Sequence, residues 1–411
     1  MKTQEREENK PKNIELKEKA FLSSLTLANF STNMMDFLMS VFLIDIAITF
    51  LGTSSNANVA TMSRLVTVSN MVSLAAGLIL GVLCLKIKHK YLLMTGLSCI
   101  AIGAVGCFFA TNMWTLQIFY LFDGIGTVLI SSMAYTLIGE YLPNSKRGTA
   151  LGYVMAGAPI SGLIGSFMIS LFFGAETGWR TFMIAYVFPI AIIALIVAFF
   201  KIPQHPKQAV STNSYSSITQ TVNTPTIPKK NVFACLIGNL FRYMASAWQV
   251  FAISFVRTKF DLTAGSGAIM ILIGNIGLIL GMLTAGKLAN KFGRKKVVVM
   301  STFCLAFIFI AYTIAESFPI ATAVWMVSGI VGGLSFSSDI NFTLGQMPKA
   351  RGTLMSINSG FIYLGFAVGS AIGGVILASY GYQITGFIFA SFLFAASTIF
   401  LVSAKEPKLI E

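Results

Sequence analysis

Runs of about 20 apolar residues recur along the whole chain, and nothing else in the sequence constrains its fold as strongly, because roughly that length of helix crosses the hydrocarbon core of a bilayer. On this rule the sequence predicts twelve spans. The first half holds 21–49, 62–85, 91–110, 114–138, 150–173 and 182–200; the second holds 232–256, 268–288, 297–315, 320–344, 354–379 and 384–402. Composition excludes a soluble alternative. Only 11% of the 411 residues are charged, against about 25% in ordinary soluble chains, too few to cover a surface that faces water. The expected fold class is therefore an all-α membrane protein with twelve transmembrane helices in two six-helix bundles.

The formal net charge is +14. In a soluble domain such a balance points to nucleic acid. Here the Lys and Arg residues sit in short connectors between apolar runs, so nucleic acid is not expected as a partner. Lys and Arg in short loops set membrane orientation. With the N-terminus inside and spans alternating, the cytoplasmic segments collect every Lys and Arg except Arg64, Arg180, Arg242, Arg257 and Lys259. Both termini are expected in the cytoplasm of a multi-pass cell-membrane protein. The polar N-terminus has no apolar stretch before a cleavage site, so no cleaved signal is expected. The five cysteines lie in or beside apolar runs without CxxC spacing, and His89 and His205 lie in connectors. No disulfide frame, metal site or cofactor is expected.

The connector Gly286–Lys296 is the most basic turn between two spans. A weaker copy, Gly81–Lys90, occupies the same place half a chain earlier. Pro143 with Arg147 and Gly148, after the fourth span, is echoed at the same offset by Pro348 with Arg351 and Gly352, after the tenth. Two similar halves running in the same sense are one repeat architecture of secondary transporters. The stretch 201–230, rich in Ser, Thr, Asn, Gln and Pro, reads as a flexible cytoplasmic linker. The expected domains are a tail at 1–20, a bundle at 21–200, the linker at 201–230, a bundle at 231–404 and a tail at 405–411.

These features resemble the twelve-helix type of the major facilitator superfamily, whose two bundles are related by a pseudo-two-fold axis. The family's loop motif, Gly-x-Leu-Ala-Asp-Arg-x-Gly-Arg-Lys, is matched at Gly286, Leu288, Ala289, Gly293, Arg294 and Lys295, with Asn290 for Asp and Lys291 for Arg. The first copy keeps Gly81, Leu83 and the basic run to Lys90, with Leu85 for Asp and Lys88 for Gly. In the family this loop is a cytoplasmic latch acting through its Asp. Without that acid it marks fold and orientation more than a working gate. Gly286 is expected to permit close helix approach, and Gly293 a backbone turn that a bulkier residue would strain. Asp123, Gly124 and Gly126 in the fourth span and Trp179 with Arg180 before the sixth are also family-like. Gly157, Pro159 and Gly162 partly match the helix-kinking motif of the family's drug–proton antiporters; an ordinary small-residue packing face remains the alternative.

Ionisable side chains within spans are costly, about 2.5–3.5 kcal/mol each at the bilayer centre on insertion scales. Chosen on charge alone, Asp36, Asp123, Arg242 and Asp339 fall one each in spans 1, 4, 7 and 10. The resemblance places those helices around a central cavity. Asp36, Asp123 and Asp339 are the proton-coupling candidates, Asp36 first; a carboxyl paired with Arg242 is the alternative. Asp339 is placed toward the cytoplasmic end of its span, within reach of solvent. Arg242 stays charged and needs a carboxylate, a carbonyl or an anionic substrate. Asn33, Asn70, Asn239, Trp248 and Gln249 are candidate substrate contacts. Asp45, Arg64, Arg257 and Asp261 read as interfacial.

No nucleotide-binding loop and no clustered His, Asp or Glu suggest a pump or an enzyme, and no catalytic residue is expected. The expected function is secondary transport of small molecules by alternating access, as proton-coupled efflux. Symport of a small organic anion, with Arg242 as clamp, is the alternative. The expected partners are a small-molecule substrate, protons and membrane lipids, and the expected state is a monomer.

Overall fold

The computed structural model describes residues 4–84, 86–142, 144–174, 178–203, 229–347 and 351–405. Every element assigned among them is helical. The first half runs α1 (Gln4–Ser31), α2 (Met34–Leu51), α3 (Asn56–Leu83), α4 (His89–Phe109), α5 (Met113–Tyr141), α6 (Asn144–Met168), α7 (Gly178–Phe182) and α8 (Phe188–Lys201). A wider π-helical turn, Ile169–Phe173, extends α6, and another, Met183–Val187, joins α7 to α8. The second half runs α9 (Lys229–Ser246), α10 (Trp248–Phe260), α11 (Ala264–Phe292), α12 (Arg294–Ile314), α13 (Phe318–Gly345) and α14 (Arg351–Ser403).

Ten stretches among the described residues are long and apolar enough to cross a bilayer. Each expected span finds a helix once three features are counted. Span 1 is α1 plus α2, broken at Thr32 and Asn33. Span 7 is α9 plus α10, broken at Ala247. Spans 11 and 12 are the two parts of α14, which turn at Gly381 with φ 77°. The first span of each half is thus interrupted. Most of the proposed linker, 204–228, lies outside the described residues.

Sequence chemistry sets the connectors. Asn112 accepts from the Thr115 backbone N–H while Thr115 accepts from that of Asn112, a capping box that starts α5 three residues after α4 ends. Thr263 caps α11, and Asp261 adopts the left-handed conformation that ends α10. Large apolar side chains remain outside the bundles: Leu78 is 73% exposed, Leu283 72% and Val402 76%. An apolar surface of this kind suits lipid, not water.

By contact density the residues fall into two compact units that cut across the sequence halves. Unit 1 comprises Met1–Met35, Ala75–Ser161 and Arg180–Val210. Its centre is the packing of α4 on α5, where a Cβ at Gly126 would lie 2.7 Å from the Gly96 carbonyl. Unit 2 comprises Asp36–Leu74, Gly162–Trp179 and Ser211–Glu411. Within it, α11 and α13 meet backbone to backbone, since a Cβ at Gly281 or Gly329 would overlap a carbonyl of the facing helix. A second core there is aromatic, with Trp248, Phe251, Phe255, Tyr312 and Phe389 in mutual contact.

Candidate functional site

Asn239, Arg242 and Tyr243 share one face of α9, because residues three and four apart on a helix are neighbours. They meet Asp339 and Thr343 of α13 and Asn358 of α14, and Ser338 precedes Asp339 along α13. Arg242 Nη2 donates to Asp339 Oδ2 at 3.2 Å, and Thr343 Oγ1 donates to Asp339 Oδ1 at 3.3 Å. Asn239 Nδ2 donates to Asn358 Oδ1 at 2.8 Å and to Thr343 Oγ1 at 3.3 Å. The Arg242 guanidinium lies 4.6 Å from the centre of the Tyr243 ring. All of these groups are buried, Asp339 at 0% and Arg242 at 4% exposure. Close helix approach makes the cluster possible, for Gly369 of α14 leaves no room for a Cβ against the Met244 carbonyl of α9.

The cluster is incompletely satisfied. Arg242 Nε, Asn239 Oδ1, Asn358 Nδ2 and Ser338 Oγ are buried and have no hydrogen-bond partner among the described residues. Buried polar groups are normally paired, so the cluster has hydrogen-bonding capacity left over. Asp339, expected within reach of solvent, is instead enclosed, with Arg242 of α9 and Thr343 of its own helix against its carboxylate. Arg242 pairs with Asp339, not with Asp36.

Asp36 stands elsewhere in unit 2, in the first turn of α2. It is exposed, unlike the residues on either side of it. The break before α2 puts this carboxylate at a helix N-terminus, where the macrodipole favours negative charge. Asn33, in the break, is half-buried. Asp123, in unit 1, is 1% exposed, on the helix that packs against α4. Asn70 is half-buried and donates to Val66 O of its own helix at 2.9 Å. Gln249 is exposed. Trp248 is buried, with Phe255, Tyr312 and Phe389 packed around it.

The basic turns are held in ways the sequence did not suggest. Gly293 adopts φ 90°, so its expected backbone role holds. Gly286 does not meet its expected role, since a Cβ there would find nothing within 4 Å. Asn290 is exposed, and Lys295 Nζ donates to Leu401 O at 2.8 Å; Arg294 starts α12. In unit 1, Lys90 is buried, and its Nζ donates to Phe199 O at 2.6 Å and Ile202 O at 2.7 Å. It therefore caps the C-terminal end of α8 instead of lying at the lipid surface. His89 Nδ1 lies 2.6 Å from Glu140 Oε1, an acidic contact for this turn where Leu85 replaces the family's Asp. Leu85 is outside the described residues, and so is the side-chain setting of Gly81.

In the Gly-Pro stretch, a Cβ at Gly157 would meet the Thr26 carbonyl of α1, and one at Gly162 would lie 2.7 Å from Asn275 Nδ2. Both glycines therefore make helix contacts, and Pro159 lies inside α6. Asp45 and Arg257, expected at the interface with lipid headgroups, are buried and paired with each other. The sequence offered no sign of that pairing, because each lies near the end of its span.

Comparison with known proteins places these features. The sequence model of the Major Facilitator Superfamily matches residues 25–234 and 235–410. An uncharacterised MFS-type transporter, YceJ of Bacillus subtilis (strain 168), is 22% identical over 326 residues, which cover 79% of this chain and 82% of the relative. Among solved structures, a D-xylose–proton symporter superposes with a TM-score of 0.81 at 15% identity, covering 95% of this chain and 98% of that one. A bacterial homologue of the human lysosomal transporter Spinster gives 0.71 at 16% identity, covering 95% and 99%. The nucleoside transporter NupG gives 0.69 at 16% identity, covering 93% and 98%. The chain belongs to the Major Facilitator Superfamily and is a membrane transporter, not an enzyme.

Proposed function

We propose that this transporter moves small lipophilic molecules out of the cell in exchange for protons, with Asp36 as the group that exchanges the proton. The observation that carries the reading is the exposed carboxylate of Asp36 at the break of the first span. An ionisable group within a span is retained for function more often than not. One that is exposed is within reach of a proton. Asp123 is a secondary candidate. Asp339, paired with Arg242, is a third. The many Met and Phe residues supply soft apolar contact area for ligands of varied shape. The strong basic bias of one set of connectors supports a cell-membrane protein with both termini in the cytoplasm.

A second reading is favoured by the cluster around Arg242. The guanidinium gives Asp339 a single nitrogen, and its Nε has no partner among the described residues. Donors therefore remain for a small organic anion taken up with protons. Proteoliposomes with and without an imposed pH gradient separate the two. Gradient-driven movement of tetraphenylphosphonium that is lost in Asp36→Asn supports exchange. Gradient-driven uptake of a small carboxylate that is lost in Arg242→Ala supports symport.

A further inference from the structure

Two chain turns in unit 2 enclose a shallow, open pocket of about 320 Å³ at the end of the spans opposite the basic turns. One turn follows α10, which stops at the left-handed Asp261; the other is the reversal of α14 at Gly381. Phe255, Thr258 and Lys259 form one wall, and Tyr380, Tyr382 and Gln383 form the other. The volume is within the range of pockets that hold small ligands.

Lys259 is an exposed positive charge at the end of the spans that carries few. Its Nζ donates to Ala315 O at 2.6 Å, just beyond α12. It lies 5.4 Å from the centre of the Phe255 ring and 5.6 Å from that of Phe260. An ammonium has three donors, so two remain. Asp261, two residues on, and Glu316, next to Ala315, are exposed, yet the ion pairs among the described residues lie elsewhere. Tyr382, 8% exposed, lines the pocket. Its hydroxyl makes no hydrogen bond among the described residues, although Ser254 and Thr258 are near. Beside the pocket the surface is apolar: Tyr380 is 68% exposed, and Ile384 and Phe387, one turn apart on α14, are each 42% exposed.

We infer that this pocket holds the headgroup of a zwitterionic phospholipid, with the phosphate on Lys259 and an acyl chain along Ile384 and Phe387. Lysine binds phosphate as a compact point charge, and two N–H groups of Lys259 are left to do so. Tyrosine at a span's end sits at headgroup depth, which is where Tyr380 and Tyr382 stand. The carboxylates of Asp261 and Glu316 oppose a lipid of net negative charge and suit the ammonium of a zwitterionic one. The exposed face of Tyr380 suits it too, through cation–π attraction. A soluble anion would meet the same lysine but would leave the apolar flank of α14 unused. The occupant is therefore a lipid of the leaflet opposite the basic turns.

The test uses the full-length chain with the photoprobe p-benzoylphenylalanine in place of Ser379, an exposed residue beside the pocket. The protein is reconstituted in liposomes of equal parts phosphatidylcholine and phosphatidylglycerol, and in liposomes of equal parts phosphatidylcholine and the phosphate-free digalactosyldiacylglycerol. After illumination, mass spectrometry identifies the attached lipid. Phosphatidylcholine adducts should exceed either competitor about tenfold, the scale of one hydrogen bond to a charged group. Lys259→Arg should keep the preference and Lys259→Gln should abolish it. The same probe in place of Val327, an exposed residue of α13, should show none. Equal adducts in the parent overturn the site, as do a preference for phosphatidylglycerol, a preference that survives Lys259→Gln, or the same preference at Val327. Inorganic phosphate in the buffer should leave the preference unchanged; its loss assigns the pocket to a soluble anion and overturns the lipid. If Lys259→Gln does not accumulate, the parent's preference at Ser379 against that at Val327 decides.

Discussion

Arg242 reaches Asp339 through one nitrogen at 3.2 Å, between α9 and α13, with both side chains buried. The contact is a single bond where an Arg–carboxylate pair commonly makes two. Removing one partner leaves an uncompensated charge in the bundle. Asp339→Asn is expected to destabilise the protein by about 3–5 kcal/mol, read as a lowered unfolding midpoint in detergent. The double change Arg242→Gln with Asp339→Asn should recover most of that loss, because neither charge remains. A double variant as unstable as the single one contradicts the pairing.

Two glycines should behave in opposite ways. Gly369 faces the Met244 carbonyl with no space for a methyl group, so Gly369→Ala is expected to lower stability by about 1–3 kcal/mol. Gly286 belongs to the family's loop motif yet has open space around it and lies in a helix, so Gly286→Ala should cost nothing and can gain about 0.5–1 kcal/mol. Thermal unfolding of the two variants side by side checks this.

The first basic turn carries one structural lysine among its positive charges. Lys90→Met deprives Phe199 O and Ile202 O of their donor and should cost about 1–3 kcal/mol. Lys88 is exposed, so Lys88→Met should stay within about 0.5 kcal/mol of the parent. Equal effects at the two positions would remove Lys90 from its capping role.

The architecture was legible because a bilayer leaves few solutions: apolar runs of fixed length and basic connectors specify helices and their order. The breaks in spans 1 and 7 were not. Asn33 and Ala247 carry no strong breaker, and the interruption depends on packing. Arg242 and Asp339 were recognisable singly as charges in apolar runs, but their pairing needs α9 and α13 to be neighbours, which spacing along the chain does not reveal. Asp45 and Arg257 were missed for a related reason. A charge near a span's end looks interfacial until a partner on another helix covers it. Trp248 shows the other side of this, since an aromatic residue within a span suits a ligand and a core equally well, and here Phe255, Tyr312 and Phe389 surround it.

The most direct test of the account follows proton movement itself. Purified protein is reconstituted in liposomes loaded with a pH-sensitive dye, and tetraphenylphosphonium is added across an imposed pH gradient. The parent should move protons when the cation is added. Asp36→Asn should not, while its unfolding midpoint stays within about 0.5 kcal/mol of the parent, as expected for an exposed side chain. Cation-triggered proton movement that continues unchanged in Asp36→Asn would contradict the central claim.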